Sequence, residues 1–419
     1  MINDNFYLLN QGLSNSEYTV EMARHRWYYY KEGFSPNLVT SAIDASRVMK
    51  DELIIDPFNG AGTTTLTASI LGYKSLGIEV NPFTSFISKT KTADVDINEL
   101  ERQSIKIMLG IMRGATSPLT GFSTFSTKST LKKWLFNDEI LAAYEGGWNK
   151  TSQISKSEIR KILRLALISS AMENCNAKKD GKCLRYKSNW ENRDFGYESF
   201  LESFTSKIQV ITEDLIHSSI KTKAKLVNGD ARSIVAGNSL KEKFKLCITS
   251  PPYLNTFDYT DIYRPELFLG KFINTNDDLY DLRLKTLRSH VQAKWEKPTN
   301  HDFGTLYTQS IRHISENLPM LMHKSIPSMV QAYFEDMQGI LRNLKSKAKK
   351  NAQLWIIVSN SAYADMEIPV DLIIADIGAK MGLALKEVGV LRHINKRKTK
   401  YSPSITRLRE SVIIFENKY

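Results

Sequence analysis

Short apolar runs alternate with helical patterns near the two ends of the chain. The first run covers residues 53–56, and a turn containing glycine separates it from a helical stretch that extends through Leu71. Residues 73–80 follow as a second strand, so these elements predict the first βαβ unit of a doubly wound parallel sheet. Further β-rich runs predict that the sheet resumes later, at residues 225–227, 245–248, 354–358 and 411–415.

The pattern between residues 96 and 221 is helical. Apolar side chains recur there at spacings of three and four, which is the period of an amphipathic helix. The clearest series is Leu201, Phe204, Ile208, Ile211 and Leu215. We expect these stripes to be packing faces, and the segment to be a helical insertion in an α/β domain formed by residues 1–95 and 222–419.

The excess of basic residues indicates a class of binding partner for this fold. Lys and Arg number 57 against 45 Asp and Glu, and the net charge of +12 favours a polyanion such as nucleic acid. Part of this charge lies in the polar segment 270–327, predicted to be a surface subdomain or a long loop. The cysteines and histidines show neither CxxC nor HExxH spacing, so no metal site is expected. Without a signal region or an apolar run of about 18 residues, a cytoplasmic protein is expected, with no membrane contact.

The segment Asp56-Pro-Phe-Asn-Gly-Ala-Gly-Thr-Thr64 follows the first predicted strand and opens the first helix. Its glycines allow the backbone to approach a ligand at the end of the strand. Dinucleotide sites use a third glycine for close helix packing, but Thr65 stands at that position here, and no Gly-Lys-Ser/Thr sequence follows. The motif therefore favours S-adenosylmethionine, which has no phosphate, although a GxG turn is also common without any ligand.

Two acidic residues stand at later strand ends. Glu79 closes the second predicted strand about twenty residues after the glycines, where a carboxylate can accept hydrogen bonds from both ribose hydroxyls of a nucleoside. Asp230 lies in the turn Asn228-Gly-Asp and can accept from an adenine amino group. Taken alone, this sequence is better explained as an ordinary turn, so the role of Asp230 depends on the other motifs.

The run Thr249-Ser-Pro-Pro-Tyr253 directly follows the strand predicted at residues 245–248. Its two prolines fix the backbone and carry no N–H groups, which leaves carbonyl oxygens and the Ser250 hydroxyl as acceptors. Such acceptors can hold both N–H groups of an exocyclic base amine and favour the pyramidal nitrogen that attacks a methyl sulfonium. Tyr253 offers a ring on which an unstacked base can lie. A chance Pro-Pro-Tyr would be a turn or a ligand for a proline-recognising domain, and neither is expected directly after a buried strand.

These motifs together resemble the S-adenosylmethionine-dependent DNA amino-methyltransferases, specifically the N4-cytosine type with its Ser-Pro-Pro-Tyr motif. The resemblance covers residues 20–95 and 222–268 well, the C-terminal strands loosely and the helical insertion hardly at all. It implies an α/β fold, a Rossmann-like methyltransferase sheet with helices on both faces that is interrupted by the insertion. The catalytic domain would be residues 1–95 and 222–419, with 270–327 as a candidate DNA-recognition subdomain.

The resemblance also implies the site residues. The catalytic motif is Ser250, Pro251, Pro252 and Tyr253. The cofactor-binding residues are Asp56, Phe58, Gly60, Gly62, Thr63, Glu79 and Asp230. The segment 26–36 is similar to the aromatic segment that closes over the methionine end of the cofactor.

The implied activity is site-specific transfer of a methyl group from S-adenosylmethionine to the N4 amino group of cytosine in double-stranded DNA. The setting would be a prokaryotic nucleoid, with a separately encoded restriction endonuclease as companion. An N6-adenine DNA methyltransferase and an RNA base amino-methyltransferase remain open, whereas methylation at carbon 5 is disfavoured because no proline precedes a cysteine. Basic clusters should meet the DNA through Arg288, His290, Lys294, Lys396 and Arg397.

Overall fold

The computed structural model describes residues 2–6, 13, 15–128, 132–180, 183–237, 240–395 and 399–418 of the chain. Its strands, in chain order, are β1 (Ile2–Asn3), β2 (Leu53–Asp56), β3 (Lys74–Glu79), β4 (Ala177–Asp180), β5 (Cys183–Tyr186), β6 (Lys225–Asn228), β7 (Phe244–Thr249), β8 (Ala348–Ser359), β9 (Ser361–Tyr363), β10 (Met366–Ile368), β11 (Ala384–Asn395) and β12 (Arg407–Asn417). Eight of these strands form one sheet in the order β1-β11-β12-β8-β7-β2-β3-β6. The small pairs β4–β5 and β9–β10 stand apart from it.

The helices of eight or more residues, together with three short ones, surround this sheet. They are α1 (Pro36–Ala45), α2 (Thr63–Leu71), α3 (Pro82–Lys91), α4 (Ile97–Arg113), α5 (Asp138–Thr151), α6 (Ser157–Glu173), α7 (Tyr197–His217), α8 (Ala231–Ala236), α9 (Tyr259–Ile262), α10 (Arg264–Leu269), α11 (Asn276–Lys285), α12 (Thr305–Glu316), α13 (Ile326–Lys347) and α14 (Val370–Lys380). Within the described ranges, no helix is both long and apolar enough to cross a membrane.

The sheet is mostly parallel, and β12 is its antiparallel member. The pairs β6–β3, β3–β2, β2–β7 and β7–β8 are all parallel, whereas β12 runs antiparallel to both β8 and β11. The chain moves outward from β2 to β3 and β6 and then crosses back to β7 on the other side of β2. In open α/β sheets, ligands bind at the carboxyl ends of the strands where the order reverses in this way. The topology therefore predicts a site between the ends of β2 and β7.

Both faces of the central strands are buried, as expected for parallel strands with helices on each side. Leu53 and Ile55 on β2 pack into a core that contains residues of α8, α13 and α14, while Ile54 between them packs towards α1. The mixed α/β sheet with helices on both faces confirms the fold class expected from the sequence.

The segment 96–221 contains the helices α4 to α7, as its helical pattern predicted, and also the β4–β5 hairpin, which that pattern did not predict. Its core is continuous with the layer that covers the sheet, because Ile107 and Phe204 share one apolar cluster with Phe83 of α3 and Phe268 of α10. The segment 270–327 contains α11 and α12, whose residues Leu282 and Tyr307 are buried. The assignment of segment 270–327 to DNA recognition stays a prediction.

Candidate active site

A cavity of about 410 Å³ opens at the carboxyl edge of the sheet, where the topology places a ligand site. It is lined by the loops after β2, β3, β6 and β7, by the segment 30–34, and by residues of β11 and β12. Most of the predicted site residues line it together, namely Asp56, Phe58, Gly60, Thr63, Glu79, Asp230, Ser250, Pro251, Pro252, Tyr253 and His290. Two motifs that lie far apart in the sequence thus meet in one cavity.

The loop after β2 approaches an aromatic wall through Gly60. This residue has a positive φ of 49°, and a Cβ atom placed on it would lie 3.2 Å from the Tyr30 ring. Any side chain there would therefore strain the backbone and narrow the cavity. Gly62, the N-cap residue of α2, faces elsewhere, because an added Cβ atom would meet Ser88 of α3 at 2.7 Å. The structure gives Gly62 a packing role, whereas Gly60 shapes the cavity.

Asp56 joins the ends of two adjacent strands. Its buried carboxylate accepts hydrogen bonds from the hydroxyls of Thr64 at 2.7 Å and Thr249 at 2.6 Å, and from the backbone N–H of Phe58 at 3.0 Å. Burial raises the pKa of this carboxyl to about 6, against the opposing effect of the hydrogen bonds. Asp56 therefore fixes the loop after β2 relative to the end of β7, where the Ser250 motif begins.

Glu79 stands at the end of β3 with its carboxylate in the cavity wall. One oxygen accepts from the backbone N–H of Gly60 at 2.7 Å and the other from Asn81 N–H at 2.8 Å. Burial raises the pKa of Glu79 to about 7. A hydrogen bond from the Thr84 side chain also acts to lower this pKa, and since a carboxylate offers about four acceptor sites, acceptor capacity remains for a ligand. The assignment of the ribose hydroxyls to Glu79 stays a prediction.

Asp230 is an N-cap residue as well as a cavity residue. Its side chain accepts from the backbone N–H of Arg232 at 2.8 Å, and the Arg232 guanidinium pairs with it at 2.9 Å. Arg232 also pairs with Asp336 of α13, which in turn pairs with Arg288. A chain of charge pairs thus leads from the rim of the cavity to the segment after α11. Arg232 Nε also donates to the two Asp230 oxygens at 3.1 Å and 3.0 Å, and the predicted contact of Asp230 with adenine stays a prediction.

The Ser250 motif leaves β7 and lines the cavity with all four of its residues. The Ser250 hydroxyl lies 3.4 Å from the Tyr253 hydroxyl, which donates to Glu410 Oε1 at 2.7 Å. Burial, together with the Glu410 carboxylate, raises the pKa of Tyr253 well above its ordinary value, so the hydroxyl stays protonated. The Tyr253 ring is therefore held in one orientation by a buried acceptor.

Sequence reasoning did not bring Glu410 and Arg392 to this site. They are register partners on the antiparallel strands β12 and β11, and Arg392 Nε donates to Glu410 Oε2 at 2.5 Å. Both residues line the cavity. The sequence signal was a pair of opposite charges on two strands, but β11 was not among the predicted strands.

The residues predicted to contact DNA differ in burial and in their charge partners. Arg288 is 12% exposed, and its guanidinium pairs with Glu335 at 2.6 Å and Asp336 at 2.7 Å. His290 is buried, lies 4.0 Å from Asp258 and has a pKa lowered by burial, so it is neutral. Lys294 is exposed. Lys396 and Arg397 lie outside the described residues.

Comparison with known proteins gives consistent matches. Residues 9–89 match the family model described as DNA methylase, N6 and N4 type. The type II methyltransferase M.BsoBI of Geobacillus stearothermophilus is 26% identical over 461 residues, which covers 97% of this chain and 88% of that protein. The type II methyltransferase M.AvaI of a Nostoc species is 26% identical over 413 residues, covering 88% of this chain and 80% of that one.

Among solved structures, the rRNA methyltransferase aviRa of Streptomyces viridochromogenes superposes with a TM-score of 0.30 at 12% identity, covering 92% of this chain and 86% of that chain. The family model and the two type II methyltransferases show that this chain is similar to the N6/N4 DNA methylases.

Proposed function

We propose that this chain is an S-adenosylmethionine-dependent DNA methyltransferase that modifies the N4 amino group of cytosine in double-stranded DNA. The observation that carries the proposal is the convergence of two motifs in one cavity. Ser250 and Pro251 follow β7 and line the same cavity as Gly60, in the loop after β2, and Glu79, at the end of β3. The type II methyltransferases named above support a companion restriction endonuclease and a DNA substrate.

The residues of the cavity fit this cofactor. The Glu79 carboxylate has acceptor capacity left for the ribose hydroxyls, and Gly60 lets the loop after β2 lie close to the Tyr30 ring. When bound, the cofactor supplies an electrophilic methyl group on a sulfonium centre.

The chain's own contribution to transfer is the orientation of the base amine. The Ser250 hydroxyl and the Pro251 carbonyl can accept its two N–H groups, which directs the nitrogen lone pair away from them. Tyr253 provides a ring for the flipped base, held in place by its hydroxyl bond to Glu410. Positioning and exclusion of water then lower the barrier without a strong general base. The amine proton leaves to water after transfer.

The choice of cytosine rests on the neutral hydroxyl of Ser250. Adenine-directed members of the resembled class more often carry Asp or Asn at this position, and Ser-Pro-Pro-Tyr is the motif of the N4-cytosine type. The N6-adenine DNA methyltransferase and the RNA base amino-methyltransferase are the alternatives.

Product analysis tests the proposal. The protein is incubated with methyl-labelled S-adenosylmethionine and unmodified plasmid DNA, and the DNA is digested to nucleosides for mass spectrometry. N4-methylcytosine is the expected product. N6-methyladenine would refute the cytosine target, and 5-methylcytosine would refute direct transfer to an amine. A parallel reaction with RNA separates the two nucleic acids, because label in RNA alone would refute the DNA substrate.

A further inference from the structure

Arg392 lines the cavity but has no role in the mechanism above. It lies on β11 directly across from Glu410 of β12, at the antiparallel edge of the sheet. Its side chain is 41% exposed, whereas that of Glu410 is 3% exposed. The carboxylate therefore anchors the guanidinium from behind, and the guanidinium borders the open cavity.

The guanidinium has more donors than its partner uses. Nε donates to Glu410 Oε2 at 2.5 Å and Nη2 donates to Oε1 at 3.3 Å. An arginine carries five N–H groups in a fixed planar fork. Among the described residues, the two N–H groups on Nη1 and the second one on Nη2 have no hydrogen-bond partner. A fixed set of donors is thus available to a ligand in the cavity.

These donors share the cavity with the acceptors of the catalytic motif. Ser250 Oγ lies 3.4 Å from the Tyr253 hydroxyl, and that hydroxyl lies 2.7 Å from Glu410 Oε1. Oε1 in turn accepts from Arg392 Nη2 at 3.3 Å. The Ser250 hydroxyl, which would accept from the base amine, is therefore linked to the Arg392 guanidinium by three contacts that run through Tyr253 and Glu410. A pyrimidine ring with exocyclic groups on both sides can bridge this span.

We propose that the free N–H groups of Arg392 donate to O2 and N3 of the flipped cytosine and so select it against adenine. The proposal rests on the proposed function, since it assumes that the base amine is held at Ser250 and Pro251. Cytosine presents an amine, the N3 acceptor and the O2 acceptor along one edge. Adenine presents an amine and the N1 acceptor, but a C–H group stands where cytosine has O2.

This difference gives Arg392 discriminating power. The flipped base would cover the guanidinium and displace its water, so a base that lacks the O2 acceptor would leave the covered N–H groups without a partner. Glu410 contributes by fixing the plane of the guanidinium, so the donors need not be ordered when the base enters. Arg392 is thus a specificity-determining residue, and Glu410 is its positioning residue.

The test combines one variant with one altered base. Arg392→Lys keeps the positive charge beside Glu410 but loses the planar fork, so the buried carboxylate is not left alone. The substrates are unmodified plasmid DNA and the same DNA copied with 2-thiodeoxycytidine triphosphate, in which a sulfur atom replaces O2 and accepts hydrogen bonds poorly. Arg407→Gln is the matched control, because it removes a cation from the exposed start of the same strand pair.

We expect Arg392→Lys to lower kcat/KM on ordinary DNA by about tenfold or more, which is the loss of a hydrogen bond to a charged group. Its Kd for S-adenosylmethionine should stay within about twofold of the wild-type value. The thio substitution should lower kcat/KM of the wild type and of Arg407→Gln by about tenfold, but should add little to the loss in Arg392→Lys. The difference between the thio penalty of the wild type and that of Arg392→Lys measures the coupling between the guanidinium and O2.

An equal thio penalty in wild type and Arg392→Lys would overturn the proposal. A second variant, Arg392→Gln, removes the charge as well. If its DNA binding has a salt slope shallower than that of the wild type by about 0.9 while its thio penalty equals that of the wild type, Arg392 is a phosphate contact and the proposal is also overturned. These outcomes differ from failure of the proposed function, which is N6-methyladenine as the wild-type product. N4-methylcytosine together with equal thio penalties would remove only the role of Arg392.

Discussion

The charge on Glu79 should control cofactor binding near neutral pH. Its carboxylate faces the cavity with a pKa that burial raises to about 7. Only the ionised form accepts hydrogen bonds from both ribose hydroxyls, because protonation converts one oxygen to a donor. Cofactor affinity should therefore increase as pH rises through this pKa.

The size of the effect follows from the ionised fraction. A group with a pKa of about 7 is roughly one-tenth ionised at pH 6 and nine-tenths ionised at pH 8, so the apparent Kd should fall about tenfold between them. Glu79→Gln removes the ionisation and one acceptor oxygen. Losing hydrogen bonds to a charged group costs about 1.5–3 kcal/mol, so at pH 8 its Kd should be about ten- to hundredfold weaker than the wild-type Kd.

Isothermal titration calorimetry at pH 6, 7 and 8 measures both quantities. The amino group of the cofactor also titrates near this range, so the informative number is the ratio of variant to wild-type Kd at each pH. This ratio should grow about tenfold from pH 6 to pH 8. A ratio that stays constant would mean that the Glu79 charge does not hold the ligand, and the assignment of the ribose to this carboxylate would be wrong.

Three further sets of variants have defined outcomes. Tyr253→Phe keeps the ring and should retain more kcat in a methyl-transfer assay than Tyr253→Ala, which also loses stacking of about 1–3 kcal/mol; equal losses would contradict a stacking role. Arg288→Gln removes one cation from Glu335 and Asp336, while Asp336 keeps Arg232, and should lower the urea unfolding free energy by about 1.5–3 kcal/mol with no change in the salt slope of DNA binding. Lys294→Gln should leave the unfolding free energy unchanged and make the salt slope of DNA binding shallower by about 0.9. An unaltered salt slope would mean that the phosphate contacts lie elsewhere. Burial raises the pKa of Asp56 to about 6 and that of Glu79 to about 7, so the stability that the two protonated carboxyls contribute below about pH 4 is lost as pH rises through those values. The wild-type unfolding free energy, measured relative to that of Asp56→Asn and of Glu79→Gln, should therefore fall between about pH 4.5 and 7.5. A rise over this range would show that the inferred sign is wrong.

Strand β2 and the loop after it could be predicted because their sequence signals are local. Residues 53–56 form an apolar run that ends at Asp56, and the structure has β2 at the same bounds. Strand β11 was missed because its alternation is interrupted. Register shifts between Leu385 and Glu387 and again between Val390 and Arg392 break the period of two that identifies a strand.

The partners of charged side chains could not be read from the sequence. Arg288 appeared as a free cation within a basic cluster, but its carboxylate partner Asp336 lies 48 residues later on α13. Arg392 and Glu410 are separated by 18 residues and meet only through the pairing of β11 with β12. Composition reports how many charges a chain carries, whereas the fold decides which of them remain unpaired for a ligand.

The position of Asp56 between Thr64 and Thr249 constrains how this protein can diverge. Loss of either hydroxyl removes a donor from a buried carboxylate, and loss of the carboxylate leaves two buried hydroxyls without their acceptor. The three positions should therefore change together among homologues, although they belong to different motifs. An amide at residue 56 would have to donate to one of the two threonine hydroxyls, so its partners would change roles, and this triplet should appear as a covarying set in an alignment.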